Sequence, residues 1–304
     1  HRDLHSFPTR RSSDLIIGLD TSHTVAFTKL MQGEVPAEQR VTGMRVVNAM
    51  RFPSPFQDEK GQDGRQAELE ALGVRMQTSV EALADGMDAI FLEINDPALH
   101  FEYVRKVADL GLPVFLDKPF ASTFSEAQEM AKVVRGKKMN LWSSSSLRYV
   151  RKLVAAKQAA TAVPTFCSLF GALGKAAAGS DIVWYGVHVT EMLVALMGSG
   201  ALTVTAVPGS AGVVAVVDYP DNRRAVAEYN RGSYTYGGRI QAGKGLHFFD
   251  AVGDVLYYNL LVQIKQWLDT GVAPVSLEET LEVQAIMEAV ERSLASGRSE
   301  PVPR

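Results

Sequence analysis

Apolar and polar positions along this chain fall into blocks whose period alternates between two and 3.6. The clearest stretch is 87–121, MDAIFLEINDPALHFEYVRKVADLGLPVFLDKPFA. Ala89-Ile90-Phe91-Leu92 is an apolar run of strand length, and Ala98, Phe101, Val104, Val107 and Ala108 then recur at helical spacing. Gly111 stops that helix as a left-handed cap, and 113–116 is a second buried strand. Before this unit the pattern predicts a strand remnant at Ile16-Ile17, a helix over 25–31, a strand over 44–49, a helix over 66–72 closed by Gly73, a short strand over 74–76 and a short helix over 79–84. After it, Ser125 with Gln128 three residues on reads as a capping box opening a helix. A strand over 139–142 then runs into Ser143-Ser144-Ser145-Ser146, a sheet-edge loop facing a crevice. Strands alternating with helices predict a parallel, doubly wound sheet.

The texture changes beyond about residue 150. Strands are expected over 164–170, 202–207, 213–217 and 224–229, with turns at Pro208-Gly209, Asp221-Asn222 and Gly237-Gly238. Such runs predict an open, mostly antiparallel or mixed sheet. An amphipathic helix over 185–197 ends at Gly198, another over 257–270 ends at Gly271, and Ser276-Leu277-Glu278-Glu279 is a capping box for a last one. The tail 301–304 is expected to fray. The organisation read from the sequence is a leader over 1–14, an α/β domain over 15–147 and an α+β domain over 148–304.

Composition narrows the function. A hydrophobic share of 46% with 21% charged residues is that of a globular chain, and 304 residues allow two domains. No apolar run approaches the length of a membrane span. The net charge of −3 comes with scattered basic residues, which gives no footprint for nucleic acid. The single Cys167 allows no intrachain disulfide, so a cytoplasmic setting is the default. Residues 1–14, HRDLHSFPTRRSSD, are polar and resemble the translation of a sequencing adapter; they are expected to stand outside the fold. A native signal peptide in their place would change the compartment.

The chemistry concentrates at Asp117-Lys118-Pro119, at the carboxyl end of a strand, where open α/β sheets hold ligands. Spacing alone leaves Lys118 equally readable as a solvated lysine. With Asn95-Asp96-Pro97, His100 and Leu110-Gly111, this motif resembles the nucleotide-binding domain of the glucose–fructose oxidoreductase/inositol dehydrogenase family (Gfo/Idh/MocA), and the resemblance runs from Ile16 to the last helix. It implies a Rossmann-like doubly wound sheet, NAD or NADP as cofactor, a hydroxylated small molecule as substrate, and a homo-oligomer, dimer or tetramer.

A dinucleotide fingerprint, G-x-G-x-x-G, should follow strand one, its glycines giving a tight turn and close approach to pyrophosphate. The aligned string is Gly18-Leu19-Asp20-Thr21-Ser22-His23, so Asp20 and His23 replace the second and third glycines. The helix amino end and the Thr21 and Ser22 hydroxyls still offer donors to phosphate; Asp20 or Thr21 reads equally as a helix cap. No acid ends strand two, where Arg51 faces either a 2′-phosphate or solvent. His188 and Glu191 match the family's second-domain His and later acid, but the family's Asp four residues before that His is Trp184 here. Proton transfer then falls to His188, Lys118 or Tyr185.

By resemblance Lys118 and His188 are catalytic. Gly18, Asp20, Thr21, Ser22, His23, Arg51, Asn95, Asp96, Pro97, His100, Asp117, Lys118 and Pro119 surround the cofactor, and Arg148, Trp184, Tyr185 and His188 the substrate. No metal site is expected, since His188 and Glu191 lack a third ligand. Tyr234, Tyr236 and their glycines suit a sugar-binding edge or a plain turn. The leading expectation is NAD(P)-dependent oxidation or reduction of a sugar or polyol. A redox-cycling or non-redox sugar enzyme with tightly held NAD, or a ligand-binding protein without turnover, are the other two readings.

Overall fold

The computed structural model describes residues 12–80 and 86–304, and these form two sheets. The first contains β1 (Ser12–Ile17), β2 (Met44–Met50), β3 (Arg75–Met76), β4 (Ala89–Leu92), β5 (Val114–Leu116) and β6 (Leu141–Ser143), in the order β3-β2-β1-β4-β5-β6. Every pairing in it is parallel. Helices α1 (His23–Gln32), α2 (Glu59–Ala71), α3 (His100–Val107) and α4 (Phe124–Gly136) connect the strands. Phe91, Phe115 and Trp142 pack on one face of the sheet, and Ile90, Leu92 and Leu116 on the other. Burial on both faces explains the uninterrupted apolar runs of β4 and β5. Strand order reverses between β1 and β4, which opens a crevice at their carboxyl ends.

The second sheet contains β7 (Pro164–Ala172), β8 (Thr203–Gly209), β9 (Gly212–Asp218), β10 (Arg224–Asn230), β11 (Gly237–Ala242), β12 (Gly245–Asp250) and β13 (Glu300–Pro301). Its order is β12-β11-β7-β10-β9-β8-β13; β7 and β10 pair parallel and the other neighbours antiparallel. Three helices pack on one face: α5 (Arg151–Ala159) on β11 and β12, α6 (Val187–Met197) on β7, and α8 (Leu277–Ser296) on β8. The other face is open, with Val207, Val214 and Phe248 exposed. The remaining helix, α7 (Leu256–Thr270), returns to the first sheet and buries Leu260, Leu261, Ile264 and Trp267 in its core. Each such side chain contributes about 1.5–3 kcal/mol, which ties the two halves together. Among the described residues no helix is long and apolar enough to cross a membrane.

Several local expectations are corrected. β1 begins at Ser12, so residues 12–14 of the expected leader are part of the sheet, and Asp14 is buried opposite Ala89. A ladder is made by main-chain groups, so polar side chains do not prevent it; residues 1–11 lie outside the described ones, as does most of the helix expected over 79–84. α2 starts seven residues before the expected 66, capped by Asp58, which accepts from Gly61 N at 2.9 Å. Only Gln62 and Leu69 of it are buried, so it shows no apolar stripe to read. The cap of α4 is Thr123, accepting from Glu126 N at 3.1 Å, and not Ser125. Every residue of α6 is buried, so it is a core helix and not an amphipathic one. Gly237 and Gly238 lie within β11, where a Cβ would meet Phe249 O at 2.8 Å and Ser168 O at 2.4 Å, respectively. The tail does not fray: β13 pairs with β8, Val302 is buried, and Arg304 bonds Glu282 at 2.7 Å. The capping box at Ser276 and Glu279 is present as read.

Candidate active site

The crevice is built by the loops after β1, β4 and β5, with the start of α6 closing it from the second half. Gly18 keeps the fingerprint's first turn: its φ is +114°, and a Cβ there would lie 2.1 Å from Glu93 O. Asp20 does not cap α1. Its carboxylate turns inward, accepting from Asn95 N at 2.9 Å and from Ser54 Oγ at 2.7 Å. Burial raises the Asp20 carboxyl and these hydrogen bonds oppose the rise. Ser22 is the N-cap residue and makes no side-chain cap bond, while Thr21 Oγ1 accepts weakly from His23 N at 3.3 Å.

The corner after β5 is held from two sides. Asp117 Oδ1 accepts from Lys118 N at 2.8 Å, and Lys118-Pro119 is a cis peptide. His100 is fully buried, with Nε2 2.8 Å from Ile94 O and Nδ1 3.3 Å from Phe120 O. Burial lowers its pKa, so the neutral ring has a single N–H to give to one of these two carbonyls, and its bulk packs between the β4 loop and the Lys118 corner. From the other half, a π-helical turn over Ile182–Gly186 projects Trp184 and Tyr185 ahead of α6. His188 is buried one turn later, its Nδ1 2.7 Å from Ser145 Oγ. Burial first, and then the positive charge of Lys118, hold His188 well below its ordinary pKa, so it is neutral near pH 7.

These parts enclose a cavity of about 270 Å³. Of the residues expected at the site, Asp20, Thr21, Ser22, His23, Asn95, Lys118, Trp184, Tyr185 and His188 line it. The others do not. Gly18 packs on Glu93, Asp96 caps a short 3-10 turn that begins with the buried Pro97, and His100, Asp117 and Pro119 form the wall behind. Arg51 turns to Asp63 on α2 and is not placed for a 2′-phosphate by any cavity contact. Arg148 is buried in an ion pair with Glu191 and reaches Glu279 at 3.3 Å, so neither Arg148 nor Glu191 faces the cavity. Its partner is a charge, which keeps this arginine structural.

Phe56, Arg65, Ser146, Leu147, Tyr236, Leu256 and Tyr257 complete the lining and were not assigned to a site from sequence. Two of them carried a signal: Tyr236 as an aromatic among glycines, and Ser146 as part of the serine loop expected to face the crevice. Trp184, in the place of the family's Asp, crosses the crevice: its Nε1 donates to Asn95 Oδ1 at 2.8 Å and its ring lies 5.6 Å from that of Phe56. Behind the floor lies a cluster the sequence did not reveal. His23 Nδ1 is 2.6 Å from Asp117 Oδ2 and 3.8 Å from Glu93 Oε2, and its ring packs on Phe27 and Tyr257. Burial, then the Asp117 charge, raise Glu93 well above the ordinary carboxyl range. Burial pushes Asp117 the same way, but His23 and Lys118 outweigh it and hold Asp117 below that range.

The lining is uneven in character. Lys118, His188, Tyr185 and Tyr236 make one wall. The amino end of α1 with the Thr21 and Ser22 hydroxyls makes the other, beside the Asp20 carboxylate.

Residues 58–144 match the model of a family described as oxidoreductase family, NAD-binding Rossmann fold (Gfo/Idh/MocA), which bears out the resemblance read from the sequence. Comparison with curated proteins returned no match. Among solved structures, a myo-inositol dehydrogenase from Corynebacterium glutamicum superposes with a TM-score of 0.79 at 13% identity, over 96% of this chain and 99% of that one. A myo-inositol 2-dehydrogenase from Lactobacillus plantarum gives 0.76 at 16% over 97% and 100%. The scyllo-inositol dehydrogenase of Lactobacillus casei, with bound NAD(H) and scyllo-inositol, gives 0.76 at 12% over 96% and 99%. These likenesses establish the shared two-sheet fold.

Proposed function

We propose that this chain, whose residues 58–144 are a Gfo/Idh/MocA Rossmann fold, is an NAD(P)-dependent oxidoreductase acting on a polyol, sugar or related hydroxylated small molecule. The observation that carries this reading is the meeting of Lys118 and His188, from separate halves, on one cavity at the carboxyl edge of the parallel sheet. Aromatic walls from Tyr185, Tyr236 and Tyr257, interleaved with polar groups such as Asn95, Lys118 and His188, suit a compact hydroxylated ring.

Bound nicotinamide would supply the hydride acceptor or donor. The Lys118 ammonium donates a hydrogen bond to the reacting hydroxyl oxygen and stabilises the charge that builds on it. His188 is neutral, and in the tautomer whose Nδ1–H donates to Ser145 Oγ its Nε2 takes the hydroxyl proton. Trp184 cannot share this task; its bond to Asn95 narrows the crevice and helps exclude water. The domain division near residue 147 and the homo-oligomer belong to the same reading, with the open face bearing Val207, Val214 and Phe248 as its contact surface.

The test is direct. Purified protein is offered NAD and NADP with a panel of inositols, sugars and sugar acids, and reduced nicotinamide is followed by absorbance. Turnover with a polyol supports the proposal. A second reading, ligand binding without turnover, is favoured by Asp20 and Trp184; a polyol that binds by calorimetry while neither dinucleotide does would establish it instead.

A further inference from the structure

We infer that His23, Glu93 and Asp117 form a binding site for a divalent transition-metal ion beneath the floor of the cavity. One potential ligand atom from each lies within 4.8 Å of the other two. Acid clusters are common, but this one carries an independent mark. Glu93 is completely buried at the end of β4, and neither of its carboxylate oxygens has a hydrogen-bond partner among the described residues. A carboxyl group shut away from water without partners requires a proton, a water or a cation, and the His23 and Asp117 ligand atoms beside it point to the cation.

The neighbouring ligands are also incomplete in the way a metal would complete them. His23 Nδ1 approaches Asp117 Oδ2 to 2.6 Å but misses the direction of a hydrogen bond, so it too lacks a properly aligned partner. Asp117 Oδ1 is taken by Lys118 N at 2.8 Å, which fixes the carboxylate and leaves Oδ2 toward His23. The His23 ring is held between Phe27, at 5.4 Å, and Tyr257, at 4.9 Å. Orientation of ligands by such outer contacts is typical of metal centres.

One imidazole and two carboxylates suit Mn²⁺, Zn²⁺ or Fe²⁺ better than a thiolate-seeking or all-oxygen ion. His23 also lines the cavity, so water or a ligand can fill the remaining positions from that side. The ion would add positive charge beside the buried carboxyl groups of Glu93 and Asp117. It would do so at the helix end that has to receive an anion.

The full chain, stripped with a chelator and desalted, is titrated with Zn²⁺ and with Mn²⁺ by calorimetry, and with Co²⁺ by visible absorption. The expected result is one ion per chain and Co²⁺ bands that report a nitrogen ligand. Glu93→Gln keeps shape and removes the ligand charge; Asp117→Asn does the same at the second position. Each should weaken binding by more than about 100-fold, beyond the loss from removing an outer contact. His23→Gln, at the helix start, serves if the buried variants do not fold. Near-ultraviolet circular dichroism confirms folding of each variant. Absence of stoichiometric binding, or equal binding by wild type and folded variants, would overturn the site. The titration contains neither dinucleotide nor polyol, so its failure leaves the proposed oxidoreduction standing, and the reverse holds too.

Discussion

The two ends of the crevice differ in how closely their side chains follow the expected motifs. At the end formed by β5 and α6, Lys118 and His188 sit together on the cavity wall, supported by His100, Ser145 and the Asp117 carboxylate. At the end formed by β1 and α1, Gly18 still makes its turn against Glu93, but Asp20 and His23 occupy the two positions that glycine should hold. Their side chains are not tolerated strays. Asp20 is knit to Asn95 and Ser54, and His23 to Asp117. A Rossmann loop therefore specifies a path for the chain and an orientation of amides; what those amides receive is set by side chains that can be exchanged without moving the path.

The comparison is broken most severely at Lys118. Lys118→Met should lower kcat by about 10²–10⁴-fold, the range for a positioned proton-handling group, with a much smaller change in dinucleotide affinity. Steady-state kinetics beside a binding titration would show it; unchanged turnover would return Lys118 to a structural role.

Next in size are two buried groups whose pH dependences run in opposite directions. His188 has a depressed folded pKa, so the unfolded chain binds its proton first, and the stability due to His188 is lost as pH falls below ~6.5. Glu93 has a raised folded pKa, so its contribution is lost as pH rises above the usual carboxyl value of 4.5. Each slope is limited to about 1.4 kcal/mol per pH unit. In denaturant titrations of metal-free protein, His188→Asn should flatten the acid side, and Glu93→Gln the alkaline side, with a gain of about 0.5–2 kcal/mol at pH 7. Equal profiles for Glu93→Gln and wild type would mean that Glu93 is already ionised and matched.

Asp20→Asn sharpens the contrast at the phosphate end. It removes the charge and can still accept from Asn95 N. Coulomb repulsion at ~4 Å with an effective dielectric near 20 is about 4 kcal/mol before relaxation, so a tenfold gain in NAD affinity, about 1.4 kcal/mol, is expected. Asp20→Gly is the poorer test, because it also discards two hydrogen bonds to a buried carboxylate. Weaker binding by Asp20→Asn would make Asp20 a ligand contact. The smallest effect belongs to the clasp between the halves: Trp184→Phe removes the bond to Asn95 and should cost about 1 kcal/mol in thermal unfolding while widening substrate acceptance.

Sequence alone determined the elements whose side chains repeat with a period. The buried strands β4 and β5, the helix between them and the capping box at Ser276 were legible because burial on a regular element leaves a regular trace. The local motifs at Gly18, Lys118 and His188 were legible because each needs a particular residue at a particular turn. Elements with weak periodicity were misread: α2 buries two residues, β1 draws on polar ones, and the last strand is two residues long. Only the tertiary structure decided which motif residues meet. It turned Arg51 to Asp63 and Arg148 to Glu191, and it drew Phe56, Tyr236 and Tyr257 onto the cavity. It also set His23, at the start of α1, beside Glu93 and Asp117, which follow β4 and β5. The physical reason is that a side chain's partner is fixed by proximity after folding, and proximity between residues far apart in the chain leaves no period in the sequence to read.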